Sequence, residues 1–140
     1  MDDALLHAIR DAFPDGQPPD RPVTGHRCPE CDEVDRLIGG RVWSEVADAF
    51  PDYCHDTYPL LTSTAKVYYL PAYLSHELQT KGMIAGLSIQ SALEQGGLPR
   101  EQFTPAQRAV ILRWVETYYR DEPPGQPPEA VMAYWRDSGE

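Results

Sequence analysis

The stretch "LTSTAKVYYLPAYLSHEL", residues 61–78, decides the fold of this chain. Its aliphatic residues recur at helical spacing and form one stripe: Val67, Leu70, Leu74 and Leu78. Tyrosine and alanine side chains fill the other sides, so the helix is apolar over most of its circumference and needs packing partners on several faces. Thr62 or Ser63 can cap its start through a side-chain oxygen. We therefore predict a long central helix over residues 61–79.

A second long helix is predicted over residues 104–120, in the stretch "FTPAQRAVILRWVETYYR". Thr104 is its expected cap, and Pro105 suits the first helical position because that position needs no backbone N–H. Gln107 follows the cap by three residues and completes a capping box, in which each side chain bonds the backbone N–H of the other residue. Local sequence alone therefore indicates where this helix begins.

Four shorter helices are predicted from amphipathic spacing that stops at proline or glycine. They cover residues 3–13, 29–38, 43–50 and 128–136. A weaker helix, diluted by glycine, is predicted over residues 81–99. No stretch alternates apolar and polar residues as a half-buried strand does. The expected fold class is all-α, an irregular bundle of short helices around two longer ones (61–79 and 104–120), with no sheet.

The length of 140 residues suits one domain with its own core and is short for two. We expect residues 1–140 to form that single domain. The 14 prolines are about twice the average usage, and many of them lie in two Pro/Gly-rich stretches, 14–27 and 121–128. These stretches favour extended and turn conformations, so we predict that they connect helices.

Three motifs in order give the chain a resemblance to a known family. They are "CPECDEVDRLIGGRVWSEV" (28–46), "LTSTAKVYYLPAYL" (61–74) and "FTPAQRAVILRWVETY" (103–118). Together they resemble a family of small, uncharacterised bacterial proteins, and "YYLPAYL" (68–74) is the most specific element. The resemblance covers roughly residues 27–120 and implies a common fold and a bacterial origin, but no activity. An immunity or defence role is an analogy with other families of this kind.

The net charge of −10 is concentrated in the first part of the chain. Residues 1–56 hold 13 of the 22 acidic and 5 of the 12 basic residues, a net charge of −8. The remaining 84 residues hold 9 acidic and 7 basic residues, a net charge of −2. An acidic surface repels phosphate backbones, so nucleic-acid binding is not expected. The same charge either keeps the protein soluble or attracts a basic protein partner.

The compartment is predicted from three further features. No run of 18 apolar residues is present, so we expect no membrane span. The start "MDDALLHAIRDAF", residues 1–13, is acidic and amphipathic, unlike the positively charged start of a secretory signal. Three cysteines, an odd number, fit reduced thiols better than a disulfide framework. We therefore expect a cytoplasmic protein.

Metal binding is one interpretation of the stretch "GHRCPECDEVDRLIGG", residues 25–40. It contains a Cys-x-x-Cys pair, Cys28 and Cys31, with His26 just before it. Structural zinc prefers four thiolate or imidazole ligands, often supplied as two such pairs. One pair is therefore half of a zinc site.

The second half of such a site has few candidates in the chain. Cys54 and His55 are the nearest second pair, with His26 in reserve, although adjacent residues rarely both reach one ion. The sequence leaves open a small structural zinc domain that uses Cys28 and Cys31 with Cys54 and a histidine. A redox pair is disfavoured, because the acidic neighbours oppose a thiolate and no βαβ pattern is present.

The start of a helix explains most of the same residues and is the favoured interpretation. Pro29 suits the first helical position, and acidic residues in the first turn suit the helix dipole. Cys31 shares a stripe with Val34 and Ile38, where it acts as a small buried hydrophobe. This interpretation leaves the identities of Cys28 and His26 unexplained.

No catalytic set supports an enzyme. A phosphate-binding glycine loop and a nucleophile elbow are missing from the sequence, and His76-Glu77 lacks the second histidine of a zinc protease. We therefore expect a non-catalytic interaction protein without a cofactor, and a zinc domain is the alternative. The acidic residues expected to meet a basic protein partner are Glu30, Asp32, Glu33 and Asp35.

Overall fold

The structure, a computed structural model, describes residues 3–26, 28–50, 57–80, 92–93, 98–120 and 129–136. Six α-helices lie in these ranges: α1 (Asp3–Ala12), α2 (Pro29–Ile38), α3 (Trp43–Asp48), α4 (Ser63–Thr80), α5 (Pro105–Arg120) and α6 (Glu129–Trp135). Short 3-10 helices cover Tyr58–Leu60 and Arg100–Gln102. The described residues contain no β-strand, only one isolated bridge between Thr24 and Leu61. The predicted all-α fold class is confirmed.

Helix α4 is central, as its sequence predicts. It packs against α1 and α3, and its middle residues are buried on nearly all sides: Tyr69, Leu70, Ala72, Tyr73 and Leu74. The Oγ1 of Thr62 accepts a hydrogen bond from the backbone N–H of Ala65 at 3.1 Å and caps the helix. Helix α5 packs against α1 and α6, so α1 contacts both of the long helices. None of the helices in the described ranges is both long and apolar enough to cross a membrane.

The capping box of α5 is present as predicted. The Oγ1 of Thr104 accepts from the backbone N–H of Gln107 at 3.1 Å, and the Oε1 of Gln107 accepts from the backbone N–H of Thr104 at 3.0 Å. The amide Nε2 of Gln107 also donates to the carbonyl oxygen of Ala12 at 3.0 Å. The same side chain therefore fixes the start of α5 and joins it to the end of α1.

All three tryptophans are buried, and each indole donates to a backbone carbonyl oxygen. The acceptors are Phe13 for Trp43 (2.8 Å), Leu74 for Trp114 (3.1 Å) and Leu93 for Trp135 (2.7 Å). A buried indole N–H needs such a partner, because an unpaired donor in the core costs free energy. These bonds join segments 30 to 42 residues apart in sequence.

Three predicted helix ends lie slightly too far along the chain, including that of α6, which ends at Trp135 rather than at residue 136. Helix α1 ends at Ala12 rather than Phe13, and α3 ends at Asp48 rather than Phe50. Each phenylalanine precedes a proline, and proline disfavours the helical conformation of the residue before it. The predicted helix over 81–99 and the connector over 121–128 lie wholly or largely outside the described residues.

The first connector packs onto the core at its end, where the sequence predicted only a spacer. Val23 is fully buried, and its carbonyl oxygen accepts from the backbone N–H of Thr62 at 2.9 Å. The backbone N–H of Gly25 donates to the carbonyl oxygen of Leu60 at 3.1 Å. These bonds hold residues 23–25 beside the start of α4 and fix the direction from which the chain enters α2.

Candidate metal centre

Cys28 is the N-cap of α2. Its backbone is extended (φ −158°, ψ 165°), and its Sγ accepts a hydrogen bond from the backbone N–H of Cys31 at 3.3 Å. Pro29 occupies the first helical position, as predicted. A side-chain acceptor at the N-cap satisfies an N–H that has no partner within the helix. The cap explains the orientation of the Cys28 sulfur towards the helix.

Cys31 lies on the buried face of α2. It has no exposed surface, and neither have Val34 and Ile38 on the same stripe. The helix begins and ends where the sequence predicted, at Pro29 and Ile38. The predicted apolar stripe is therefore confirmed, and it places the Cys31 sulfur on the inner side of the first turn.

His26 approaches both cysteines from the connector. Its imidazole is exposed, and its Nδ1 lies 4.0 Å from the Sγ of Cys31. The potential ligand atoms of His26, Cys28 and Cys31 all lie within 4.8 Å of one another, the one such group of three found among the described residues. Ligands about 2.0–2.3 Å from a tetrahedral zinc ion are about 3.5 Å apart. The three side chains could thus hold a metal ion after small movements.

The two thiols differ in the direction in which their pKa values are shifted. The pKa of Cys28 is lowered, first because the backbone N–H of Cys31 donates to its sulfur and second because of its hydrogen bond with His26. The pKa of Cys31 is raised, chiefly because burial disfavours the thiolate and further because of the neighbouring Cys28. Cys28 therefore loses its proton first and is the better anionic ligand of the pair.

A network around Asp35 holds the connector against α2. The carboxylate Oδ2 of Asp35 accepts from Arg21 Nη2 (2.9 Å) and Nε (3.1 Å), and its Oδ1 accepts from the backbone N–H of Val23 at 2.8 Å. Closer to His26, the hydroxyl Oγ1 of Thr24 donates a hydrogen bond to the carbonyl oxygen of Cys31 at 3.4 Å. These contacts set the position of His26 relative to the two cysteines.

Sequence reasoning missed this network. It assigned Asp35 to an acidic surface facing solvent, but only 17% of that side chain is exposed, because Arg21 and Val23 cover it. The spacing gave one signal: Asp35 follows Cys31 by four residues and so lies one turn along the same side of α2. Arg21 lies in a Pro-rich stretch without periodicity, and no local pattern pairs it with Asp35.

The other predicted interaction residues lie on the outer side of α2. Glu30 and Asp32 are exposed, and Glu33 is half-buried. Glu33 accepts from Arg36 Nε at 3.0 Å and also from Nη2, and this bonding holds the pKa of Glu33 below its ordinary value. The first turn of α2 thus presents carboxylates to solvent beside the His26, Cys28 and Cys31 group.

The other predicted ligands are Cys54 and His55, and the chain also contains the pair His76-Glu77, which lacks the spacing of a zinc protease. Cys54 and His55 fall outside the described residues, so their predicted role as ligands stays a prediction. His76 is half-buried, and its ring stacks on Phe50 with ring centroids 4.0 Å apart. Glu77 is buried at the end of α4. Neither side chain belongs to a ligand group among the described residues.

No protein-family model matches the chain, and no match was found among curated proteins or solved structures. The resemblance to small bacterial proteins therefore stays a prediction. The function is inferred from the geometry of His26, Cys28 and Cys31.

Proposed function

We propose that the protein binds a zinc ion through His26, Cys28 and Cys31. The observation that carries this proposal is the convergence of their three ligand atoms within 4.8 Å. The ligands come from one short stretch, residues 26–31, which spans the end of the first connector and the start of α2. Hydrogen bonds that use no ligand atom hold both parts of this stretch: the backbone N–H of Val23 donates to Asp35, and that of Asp32 donates to the carbonyl oxygen of Cys28.

The ligand chemistry supports zinc over other common cations. Thiolate and imidazole ligands suit zinc, whereas magnesium and calcium prefer oxygen ligands. Three protein ligands leave one tetrahedral position for water or for a further side chain. Cys54 and His55 are the candidates that the sequence offers for that position.

Zinc at this centre would act as a cross-link in the fold. It would join the connector at His26 to the start of α2, and ligand deprotonation would make binding pH-dependent. An ion that binds only the folded protein stabilises it by about 2.7 kcal/mol when free zinc is about a hundred times Kd. A structural role is therefore measurable as a rise in Tm on addition of zinc.

Metal analysis and competitive zinc titration of the reduced protein test this proposal. We expect one zinc per chain, and a decrease in affinity of about tenfold or more in His26→Asn and in Cys28→Ser. His7→Asn, at an exposed residue of α1, is the matched control and should bind zinc like the parent. Cys54→Ser tests the fourth position: unchanged affinity indicates a three-residue centre, and weakened affinity adds Cys54 as a ligand. Substoichiometric zinc, or site variants that bind like the parent, would show that the proposal is wrong.

A second candidate function is binding to a basic protein partner. The exposed Glu30 and Asp32 in the first turn of α2 favour it, together with the net charge of −8 in residues 1–56. In affinity purification from the native host, we expect a basic protein to be retained at low salt and lost at high salt. The double variant Glu30→Lys/Asp32→Lys should lose that protein, and the control Glu129→Lys should keep it. Equal retention by both variants would contradict this function.

A further inference from the structure

We propose that Cys28 and Cys31 are a redox modification site, at which a small neutral hydroperoxide closes a disulfide within the first turn of α2. The inference deepens the proposed zinc function, because the disulfide would remove two of the three ligands. The oxidation itself needs no metal. The site can therefore be tested whether or not zinc binds.

The geometry brings the two sulfur atoms together before any oxidation. They lie within 4.8 Å of one another, and the hydrogen bond from the backbone N–H of Cys31 already turns the Cys28 sulfur towards the helix. A disulfide needs a separation of about 2.05 Å. The extended backbone of Cys28, outside the helix, leaves room for side-chain rotation to close that gap.

The difference in exposure between Cys28 and Cys31 determines which of the two is oxidised first. Cys28 is partly exposed and can meet a peroxide from solvent, whereas Cys31 is fully buried. Cys28 is therefore the sulfur that is oxidised first, and Cys31 is the resolving residue from the inner side. A partly exposed cysteine next to a resolving cysteine is the usual arrangement of a redox-sensitive pair.

The chemistry balances with one equivalent of hydrogen peroxide. The Cys28 sulfur attacks one peroxide oxygen, the O–O bond breaks, and the second oxygen leaves as hydroxide, which takes the proton lost by the Cys28 thiol and becomes water. The Cys31 sulfur then attacks the sulfenic acid sulfur of Cys28. The S–S bond forms, the S–O bond breaks, and the departing hydroxide takes the Cys31 proton as a second water. Two electrons pass from the sulfur atoms to the peroxide.

The surrounding charge selects the oxidant. Glu30 and Asp32 are exposed on the first turn beside the pair, and they repel anions. Glutathione disulfide carries net negative charge and is disfavoured on that ground, whereas hydrogen peroxide is neutral and small. Charge reversal at these two acids should therefore speed oxidation by glutathione disulfide more than oxidation by hydrogen peroxide.

Peptide mapping reads the product directly. Trypsin cleaves after Arg27 and Arg36, so both cysteines lie in one peptide, residues 28–36. Treatment of the reduced, zinc-free full chain with hydrogen peroxide should give this peptide lighter by two hydrogen atoms. Cys31→Ala should instead accumulate a sulfenic acid at Cys28 that dimedone traps, and Cys28→Ser should leave Cys31 unmodified. His7→Asn, at an exposed residue of α1, should oxidise like the parent and is the control.

Two arms separate this inference from the zinc proposal. If the 28–36 disulfide does not form in the zinc-free chain, or if mixed products with Cys54 dominate, the redox site is wrong whatever the zinc titration shows. If the disulfide forms and the titration fails, the redox site stands and the zinc proposal falls. If the redox site and the zinc proposal are both correct, saturating zinc should slow oxidation about tenfold or more, and the oxidised chain should release its zinc. Unchanged zinc affinity after oxidation would overturn the link between the two.

Discussion

The backbone N–H of Cys31 donates to the Sγ of Cys28 across 3.3 Å, so one side chain caps α2 and also offers a metal ligand. These two roles can be separated by substitution, because an oxygen replaces sulfur well as a cap and poorly as a zinc ligand. Substitutions of Cys28 should therefore affect the cap and the metal site to different extents.

Cys28→Ser should keep the cap and lose the metal, whereas Cys28→Ala should lose both. We expect the Tm of the zinc-free Ala variant to fall by about 3–5 °C, because the Cys31 N–H loses its acceptor. The Tm of the Ser variant should stay at or above that of the parent. Thermal unfolding followed by circular dichroism, without zinc, measures both. An equal decrease in the two variants would contradict the capping role.

Alkylation of the zinc-free chain should distinguish the two thiols by pH. Because the folded-state pKa of Cys28 is lowered, its labelling by iodoacetamide should rise at lower pH than that of an ordinary thiol, with Cys31 labelled more slowly. For the same reason, the Cys28 thiolate stabilises the fold above its unfolded pKa, and this contribution is lost as pH falls through the folded pKa. Mass spectrometry of peptide 28–36 gives the labelling profile. Faster labelling of Cys31 would refute the assignment.

Gly39→Ala should destabilise the protein and loosen the network around Asp35. A Cβ at Gly39 would lie 2.5 Å from the carbonyl oxygen of Asp35, 2.6 Å from its Oδ1 and 2.7 Å from Arg21 Nε. The resulting overpacking should cost about 1–3 kcal/mol of the free energy of unfolding. Gly25→Ala is the matched control: its Cβ would meet no atom within 4 Å, so the change should stay within about 0.5 kcal/mol. Urea denaturation compares them.

Asp35→Ala should have a larger effect than Glu33→Ala, although each carboxylate bonds an arginine. Asp35 is mostly buried and accepts from both Arg21 and the backbone N–H of Val23, so its removal should cost about 1–3 kcal/mol. Glu33 bonds only a neighbour on its own helix in the described contacts, and its loss should leave the free energy of unfolding nearly unchanged. Zinc affinity should also fall in Asp35→Ala but not in Glu33→Ala, because the bonds to Asp35 hold the connector that carries His26. If the two variants changed the free energy of unfolding equally and changed zinc affinity equally, the role of this network would be contradicted.

Features that depend on local sequence were predictable here. The ends of α2, the capping box at Thr104 and the buried position of Cys31 follow from residues within one or two turns, and all three are confirmed. The cap at Thr62 is likewise a local feature that the structure bears out. Such features are set by backbone N–H groups and side chains that are neighbours in sequence.

Features that depend on tertiary contacts were not predictable. The pairing of Arg21 with Asp35 and the attachment of Val23 to Thr62 bring together residues without a common pattern. The sequence named His26 as a reserve ligand for the cysteine pair, but it did not predict the contacts that hold the connector beside α2. From the sequence, a helix start and a metal site were alternative interpretations of Cys28. In the structure, the geometry of the helix start is what directs the Cys28 sulfur towards Cys31 and His26.

The indole bonds of the three tryptophans have an evolutionary consequence. Each acceptor is a backbone carbonyl, which every amino acid supplies, so the side chains at residues 13, 74 and 93 can change without breaking the bond. The donors have no such freedom, because only tryptophan combines that volume with an N–H. In diverged homologues we therefore expect Trp43, Trp114 and Trp135 to persist while their acceptor positions drift, which makes the spacing of the tryptophans a durable signature of this fold.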